Sequence, residues 1–188
     1  GTSPYLIHLG HGIGGGVIAE GRPFVGAHGN AGLSGFLFPY GAPRPSALDL
    51  LETLQKQGHP VEDFSDIEAI APDDPALAEW CERAGGQLRK AIRAATALLD
   101  PSVIVVGGRL PVFVLDRLVP AILAEPIQSP SRGLRIAPVR ASTLGPSGGA
   151  IGAASLPLFS SLYTGGRRDF GNPYLNGRNN ISLSEQDP

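Results

Sequence analysis

Apolar residues alternate through Tyr5-Leu-Ile-His-Leu9 and return in Val17-Ile18-Ala19, with the glycine-rich stretch Gly10-His-Gly-Ile-Gly-Gly-Gly16 between them. Two short apolar runs around a bare turn predict a β-hairpin, and Arg22–Val25 predicts a third, short strand. Glycine and proline then crowd the segment from Gly26 to Pro45, which reads as an irregular loop anchored by Leu33, Phe36, Phe38 and Tyr40. Ser46 is placed to cap a helix through Gln57, with Leu48, Leu51 and Leu54 on one face and Gly58 ending it. A second short helix is expected over Val61–Ile70. Asp73-Asp74-Pro75 puts carboxylates and a proline where a first helical turn favours them, and starts the longest helix. Along it Leu77, Trp80, Cys81, Ala84, Leu88, Ile92, Ala95 and Leu99 keep helical spacing. Gly85-Gly86 interrupts that stripe and marks either a kink or a close contact.

Beyond Asp100-Pro101 the run Ser102-Val-Ile-Val-Val106 has the continuous β-branched character of a buried parallel strand. A helix over Val112–Leu123, a strand over Leu134–Val139 and a small-residue helix from Ala150 to Ser161 complete the pattern. The order β-β-(β)-α-α-β-α-β-α is mixed α/β. After Thr164 the periodicity gives way to Gly, Arg, Asn and Asp. The expected division is therefore a lobe over 1–163 and an extended or disordered tail over 164–188.

Composition narrows the function classes. Of the 188 residues 26 are glycine and 18 proline, yet 42% are apolar, which describes a turn-rich folded chain. Fifteen basic against 17 acidic residues leave a formal charge of −2, so no strongly basic nucleic-acid surface dominates. The single cysteine, Cys81, excludes an internal disulfide framework and a cysteine zinc site. No apolar run reaches membrane-spanning length and no leader-like segment opens the chain, so a cytoplasmic protein without membrane contact is expected.

Gly10, Gly12, Gly14, Gly15 and Gly16 form the densest glycine cluster. Without Cβ atoms in the way, backbone N–H groups in such a loop can close around a phosphate. It is neither a Walker loop nor a dinucleotide fingerprint, since no Gly-Lys-Ser/Thr follows and the next segment reads as a strand. Taken alone it fits a plain hairpin turn equally well. Two more glycine turns, Gly107-Gly108 and Gly145–Gly149, fall after predicted strands and before predicted helices, where α/β proteins hold ligands.

Four segments in order carry a resemblance to a known family: Leu9-Gly-His-Gly-Ile-Gly-Gly-Gly-Val-Ile18, Gly26-Ala-His-Gly-Asn-Ala-Gly32, Leu99-Asp-Pro-Ser-Val-Ile-Val-Val-Gly-Gly108 and Gly148-Gly-Ala-Ile-Gly-Ala-Ala154. Together they resemble the ROK family of bacterial sugar kinases and sugar-responsive repressors, from Tyr5 to Phe159. The resemblance implies a ribonuclease H-like lobe of the actin and hexokinase type, a mixed sheet flanked by helices, here the carboxy-terminal of two lobes. It implies nucleotide contacts from Gly10, His11, Gly12, Gly14, Gly15, Gly107 and Gly108, with His11 where the family commonly has threonine. No cofactor is fixed by the residues themselves; ATP or ADP with magnesium is what the resemblance implies.

Other family positions are changed. The glutamate and histidine that in relatives contact sugar, the histidine also ligating zinc, correspond to Leu33 and Phe36, and the zinc cysteines to Gly41-Ala-Pro-Arg-Pro-Ser46. Leu33 accepts no hydroxyl proton and Phe36 binds no metal, so no zinc is expected. His28, Asn30 and Asp49 are the candidates for what is left of a sugar site, although His28 and Asp49 fit roles outside a site more readily. The family's catalytic aspartate belongs to a segment before Gly1, so no catalytic residue is assigned. The expectation is the carboxy-terminal lobe of a sugar-responsive transcriptional regulator. It would have a carbohydrate effector, form a homo-oligomer, and bind DNA only through an amino-terminal region. The alternatives are an ATP-dependent sugar kinase cut at its hinge, and a structural homologue that dimerises and binds no small molecule. His8 and His59 read as structural, and Trp80 and Cys81 as core.

Overall fold

The computed structural model describes residues 3–127, 133 and 135–162, and nothing is said of the side chains of 156–162. Strands β1 (Pro4–Leu9), β2 (Ile13–Ala19), β3 (Arg22–Phe24), β4 (Val103–Gly108) and β5 (Val139–Ala141) make one sheet in the order β3-β2-β1-β4-β5. The first three strands are antiparallel neighbours, whereas β4 lies parallel to β1 with Ile7 opposite Val106 and Leu9 opposite Gly108. β5 continues parallel to β4. The mixed sheet with flanking helices is the expected ribonuclease H-like arrangement.

Helices α1 (Ala47–Lys56), α2 (Pro75–Leu99) and α3 (Val112–Leu123) share one apolar core with the sheet. Tyr5, Ile7, Leu9, Ile104 and Val106 point into it, and alternate residues point away. The β-branched run in β4 was expected to be buried throughout. Instead Ile104 and Val106 are buried while Val103 and Val105 are only half-buried, because this core lies against a single face. α1 buries Leu50, Leu51 and Leu54, with Leu48 at the margin of its apolar stripe.

The local signals explain where the helices begin. The Ser46 side chain accepts from Asp49 N at 3.2 Å, and the Asp74 carboxylate accepts from Ala76 N at 2.8 Å and Leu77 N at 3.3 Å. The expected helix over 61–70 is a 3₁₀ segment, Phe64–Ala69, opened by a reciprocal Asp63–Asp66 capping box. α2 runs unbroken through Gly85. A Cβ there would lie 2.8 Å from the Ala121 carbonyl carbon, so the glycine lets α3 approach closely and does not mark a kink. Arg89, one turn on, donates from Nη1 to the Ala121 carbonyl at 2.8 Å and so satisfies an orphan acceptor at the end of α3.

Two expected elements are shifted. β2 begins at Ile13, so Gly14, Gly15 and Gly16 are strand residues and the turn shrinks to Gly10–Gly12. The strand expected over 134–139 is formed by Val139–Ala141, since its pairing with Ile104–Val106 fixes the register. One compact unit covers residues 1–149 and ends inside α4 (Gly148–Leu162). The tail expected from 164 lies outside the described residues. Among those described, no helix is long and apolar enough to cross a membrane.

Candidate ligand site at the carboxyl edge of the parallel strands

Because β1, β4 and β5 run parallel, the segments that follow them leave the sheet at the same edge. After β1 comes the Gly10–Gly12 turn, closed by Gly10 N–H donating to the Gly12 carbonyl at 2.9 Å. The first N–H groups of α1, from Ala47 and Leu48, donate to the Gly10 carbonyl at 2.9 and 3.3 Å. The start of α1 is thus bound to the turn and not open to an anion. The N–H groups of His11 and Gly12 donate to no acceptor among the described residues, and a Cβ on Gly12 would meet nothing within 4 Å. Those two open donors are what the turn offers a ligand.

β4 ends in Gly107 and Gly108, which lie beside His8 and Leu9 in the sheet and are not a free turn as the sequence suggested. Gly108 has φ +132°, and a Cβ on it would come within 2.2 Å of the Leu9 carbonyl oxygen. A Cβ on Gly107 would be 2.7 Å from that of Ser142, just beyond β5. These glycines therefore allow three strand ends to converge. Arg109 N–H then donates to Leu9 O at 2.8 Å, and Ser142 N–H to Val106 O at 2.8 Å.

Two further side chains occupy this edge. His8, half-buried, has its ring against Gly10 and Gly149; Cβ atoms at those positions would stand 3.3 and 3.8 Å from Nε2 and Cε1. Arg109 places its guanidinium 4.5 Å above the Phe64 ring centroid, and His11 meets the same ring edge-on at 4.8 Å. His8 was read as structural and Arg109 was not singled out. Their convergence depends on the parallel β1–β4 register, which no local pattern contains.

Gly14 and Gly15 face other constraints. A Cβ on Gly15 would overlap the Gly32 carbonyl oxygen at 2.1 Å. That carbonyl accepts from the Tyr5 hydroxyl at 2.8 Å, and burial pushes the Tyr5 phenol up against a smaller opposing effect of Ser34. The Ser34 hydroxyl in turn donates to the Gly14 carbonyl at 3.0 Å. These contacts fasten the loop after β3 onto β2.

His28 and Asn30 are exposed in that loop, which is tied back by Ala31 N–H to the Val25 carbonyl at 3.1 Å. Asp49 lies on the first turn of α1 with its side chain 15% exposed. Its Oδ2 accepts from the Trp80 indole Nε1 at 2.7 Å and from Arg83 Nη2 at 2.9 Å, joining α1 to α2. Leu33 precedes a 3₁₀ turn over Ser34–Leu37 and Phe36 lies within it, 76% exposed. The segment 41–46 is held by side chains: Arg44 Nη2 donates to the Gly35 carbonyl at 2.8 Å and Gln87 Nε2 to that of Pro43 at 2.7 Å. Among the described residues no three histidine, cysteine or acidic side chains come together as metal ligands. The donor set here does not fit zinc.

Comparison with known proteins places this geometry. The sequence model of the ROK family matches residues 46–158. An uncharacterized protein, y4fQ, of Sinorhizobium fredii (strain NBRC 101917 / NGR234) is 52% identical over 175 residues, which is 93% of this chain but 45% of that protein. The chain thus spans about half the length of this relative. A ROK family glucokinase from Streptomyces griseus, solved with glucose and AMPPNP, superposes with a TM-score of 0.60 at 20% identity, over 82% of this chain and 60% of that one. A ROK family transcriptional regulator described as a homologue of the E. coli MLC protein superposes with 0.57 at 23% identity, over 74% and 42%. The fold is shared by kinase and regulator alike.

Proposed function

The chain belongs to the ROK family, and from that premise we propose that it is the carboxy-terminal lobe of a sugar-responsive transcriptional regulator with a degenerate sugar site and no catalysis of its own. The observation that carries this reading is the state of the sugar-contacting positions. By the family resemblance Leu33 and Phe36 correspond to a glutamate and a histidine of relatives, and in the structure the carboxylate oxygen Oδ2 of Asp49 is taken by Trp80 and Arg83. A sugar hydroxyl facing an apolar side chain loses its hydrogen bond, and such a loss lowers affinity by orders of magnitude. A regulator tolerates that change better than an enzyme that must hold a hydroxyl in line for attack. DNA contact then belongs to an amino-terminal region, consistent with a formal charge of −2 here. A carbohydrate effector and a homo-oligomer are part of the same proposal.

The second reading, a sugar kinase lobe, rests on the surviving glycine framework. The open N–H groups of His11 and Gly12 fit a nucleotide phosphate, and Gly107 and Gly108 keep the adjoining strand ends together. ATP with magnesium, if bound, would supply the phosphoryl group and leave ADP; this chain contributes backbone donors and an Arg109 guanidinium steadied on Phe64.

Calorimetric titration of the full-length protein with ADP and ATP plus magnesium, then with hexoses and N-acetylhexosamines, joined to an assay of ADP release from ATP with the same sugars, separates the two. The regulator reading expects no phosphoryl transfer to any hexose, and turnover overturns it. Asp49→Ala is the control. As a structural residue its loss lowers stability by about 2 kcal/mol and leaves sugar affinity unchanged, whereas a selective loss of sugar affinity makes Asp49 a sugar ligand.

A further inference from the structure

The β2–β3 hairpin closes on Glu20 and Gly21, both at positive φ, in a two-residue turn. In such a hairpin Ala19 and Arg22 exchange hydrogen bonds, so the next pair, Ile18 and Pro23, turns its backbone groups outward. Proline thus stands where an N–H would face off the open edge of the sheet, and an added strand finds no donor there. Side chains are what this margin offers instead. Phe24, Val25, Leu33, Phe36, Leu37 and Tyr40, in β3 and the loop after it, are all exposed. The Ala31 N–H bond to the Val25 carbonyl closes the loop on itself and brings Phe24 and Val25 towards Leu33. Phe38 anchors the loop in the core, while Arg44 stands 4.9 Å over the Tyr40 ring and braces it from one side. From Pro23 to Pro43 there is no Asp, Glu, Lys or Arg, in a chain of which 17% is charged.

We infer that this surface is an interface with a second copy of the chain, packed side chain to side chain across a twofold axis. Exposed aromatic residues, a core without charge and arginines at the rim, here Arg22 and Arg44, are the composition of such a contact. Phe24 is 52% exposed, Phe36 76% and Tyr40 86%, so the three rings alone present about 400 Å². That is about half of what a stable dimer covers on each partner. The rim is also self-complementary. Glu20 and Arg22 are exposed on one hairpin and form no ion pair among the described residues, so under a twofold axis the acid of one copy can face the base of the other. This names the surface for the homo-oligomer of the proposed function and rests on that part of it.

Sedimentation velocity of the full-length protein over a concentration series tests it. The expected result is a dimer whose dissociation constant rises about a hundredfold or more in Phe24→Asp/Tyr40→Asp. Glu20→Arg and Arg22→Glu each weaken the dimer several-fold, and the two together restore it, because the charges again face opposite ones. A dimer that survives the Asp substitutions overturns the proposed surface and leaves the homo-oligomer standing. A monomeric parent overturns both; a lower melting temperature in the Asp variant then assigns the patch to the rest of the protein. Should the Asp variant fail to fold, unchanged association in Glu20→Arg overturns the proposal instead. Phosphoryl transfer is read separately, so the regulator reading stands or falls on its own assay.

Discussion

Cys81 is 3% exposed on α2, and burial pushes its thiol up to about 11 from an ordinary 9.0, against a smaller opposing pull from the Arg117 guanidinium. An acid whose pKa is higher in the folded chain keeps its proton better there than in the unfolded chain. Its contribution to stability is therefore complete below pH 9 and is lost as pH rises towards 11. Two units correspond to about 2–3 kcal/mol as an upper bound. Urea denaturation from pH 8 to 11 should thus show a steeper loss of stability in the parent than in Cys81→Ala, the difference developing above pH 9. Parallel curves for the two proteins would mean that the thiol ionises freely in the fold. The same residue-level logic separates Asp49 from His28 and Asn30. Asp49 has protein donors on its carboxylate, while the other two are exposed in the loop after β3.

Helix packing gives a sharper contrast between neighbours. Gly85 and Gly86 are adjacent in sequence and alike in helix propensity, yet a Cβ on Gly85 meets the Ala121 backbone at 2.8 Å while one on Gly86 meets only the tip of Arg89 at 3.4 Å. Gly85→Ala must push α3 away from α2 and should cost about 1–3 kcal/mol. Gly86→Ala should stabilise by up to about 1 kcal/mol, the usual gain for replacing glycine inside a helix. Thermal melts of the two variants check this, and equal effects would show that the helices do not meet at Gly85. Such contacts also mark what the sequence could reveal. Ser46, Asp74 and Pro75 announce their helices because capping is local chemistry, and Val112–Leu123 follows from its apolar spacing. The glycines after Ile13 were read as loop because their reason for being glycine is distant. Gly32 presses on Gly15, across a segment that local periodicity does not connect. In the candidate site, the glycine turns were legible as bare backbone, but the approach of His8 and Arg109 required the β1–β4 pairing.

At the scale of the whole chain, every buried apolar residue described, from Tyr5 to Val139, lies before Gly149, and these residues form one connected core. The unit over 1–149 contains all five strands and the first three helices. A core closed within one unit unfolds as one cooperative step, even when the chain spans only about half the length of its relative. Truncation after Gly149 should accordingly leave a protein with a single sigmoidal melt. Near-UV and far-UV circular dichroism should lose their signals at the same temperature, and that midpoint should fall within a few degrees of the intact chain. Trp80, fully buried and bonded to Asp49, supplies the near-UV signal for this measurement. Helical far-UV signal persisting after near-UV signal is lost, with binding of a hydrophobic dye, would mean that 1–149 collapses without fixed packing. The core would then depend on residues beyond it. A coincident transition would establish the first 149 residues as the unit on which the strand-edge site is built.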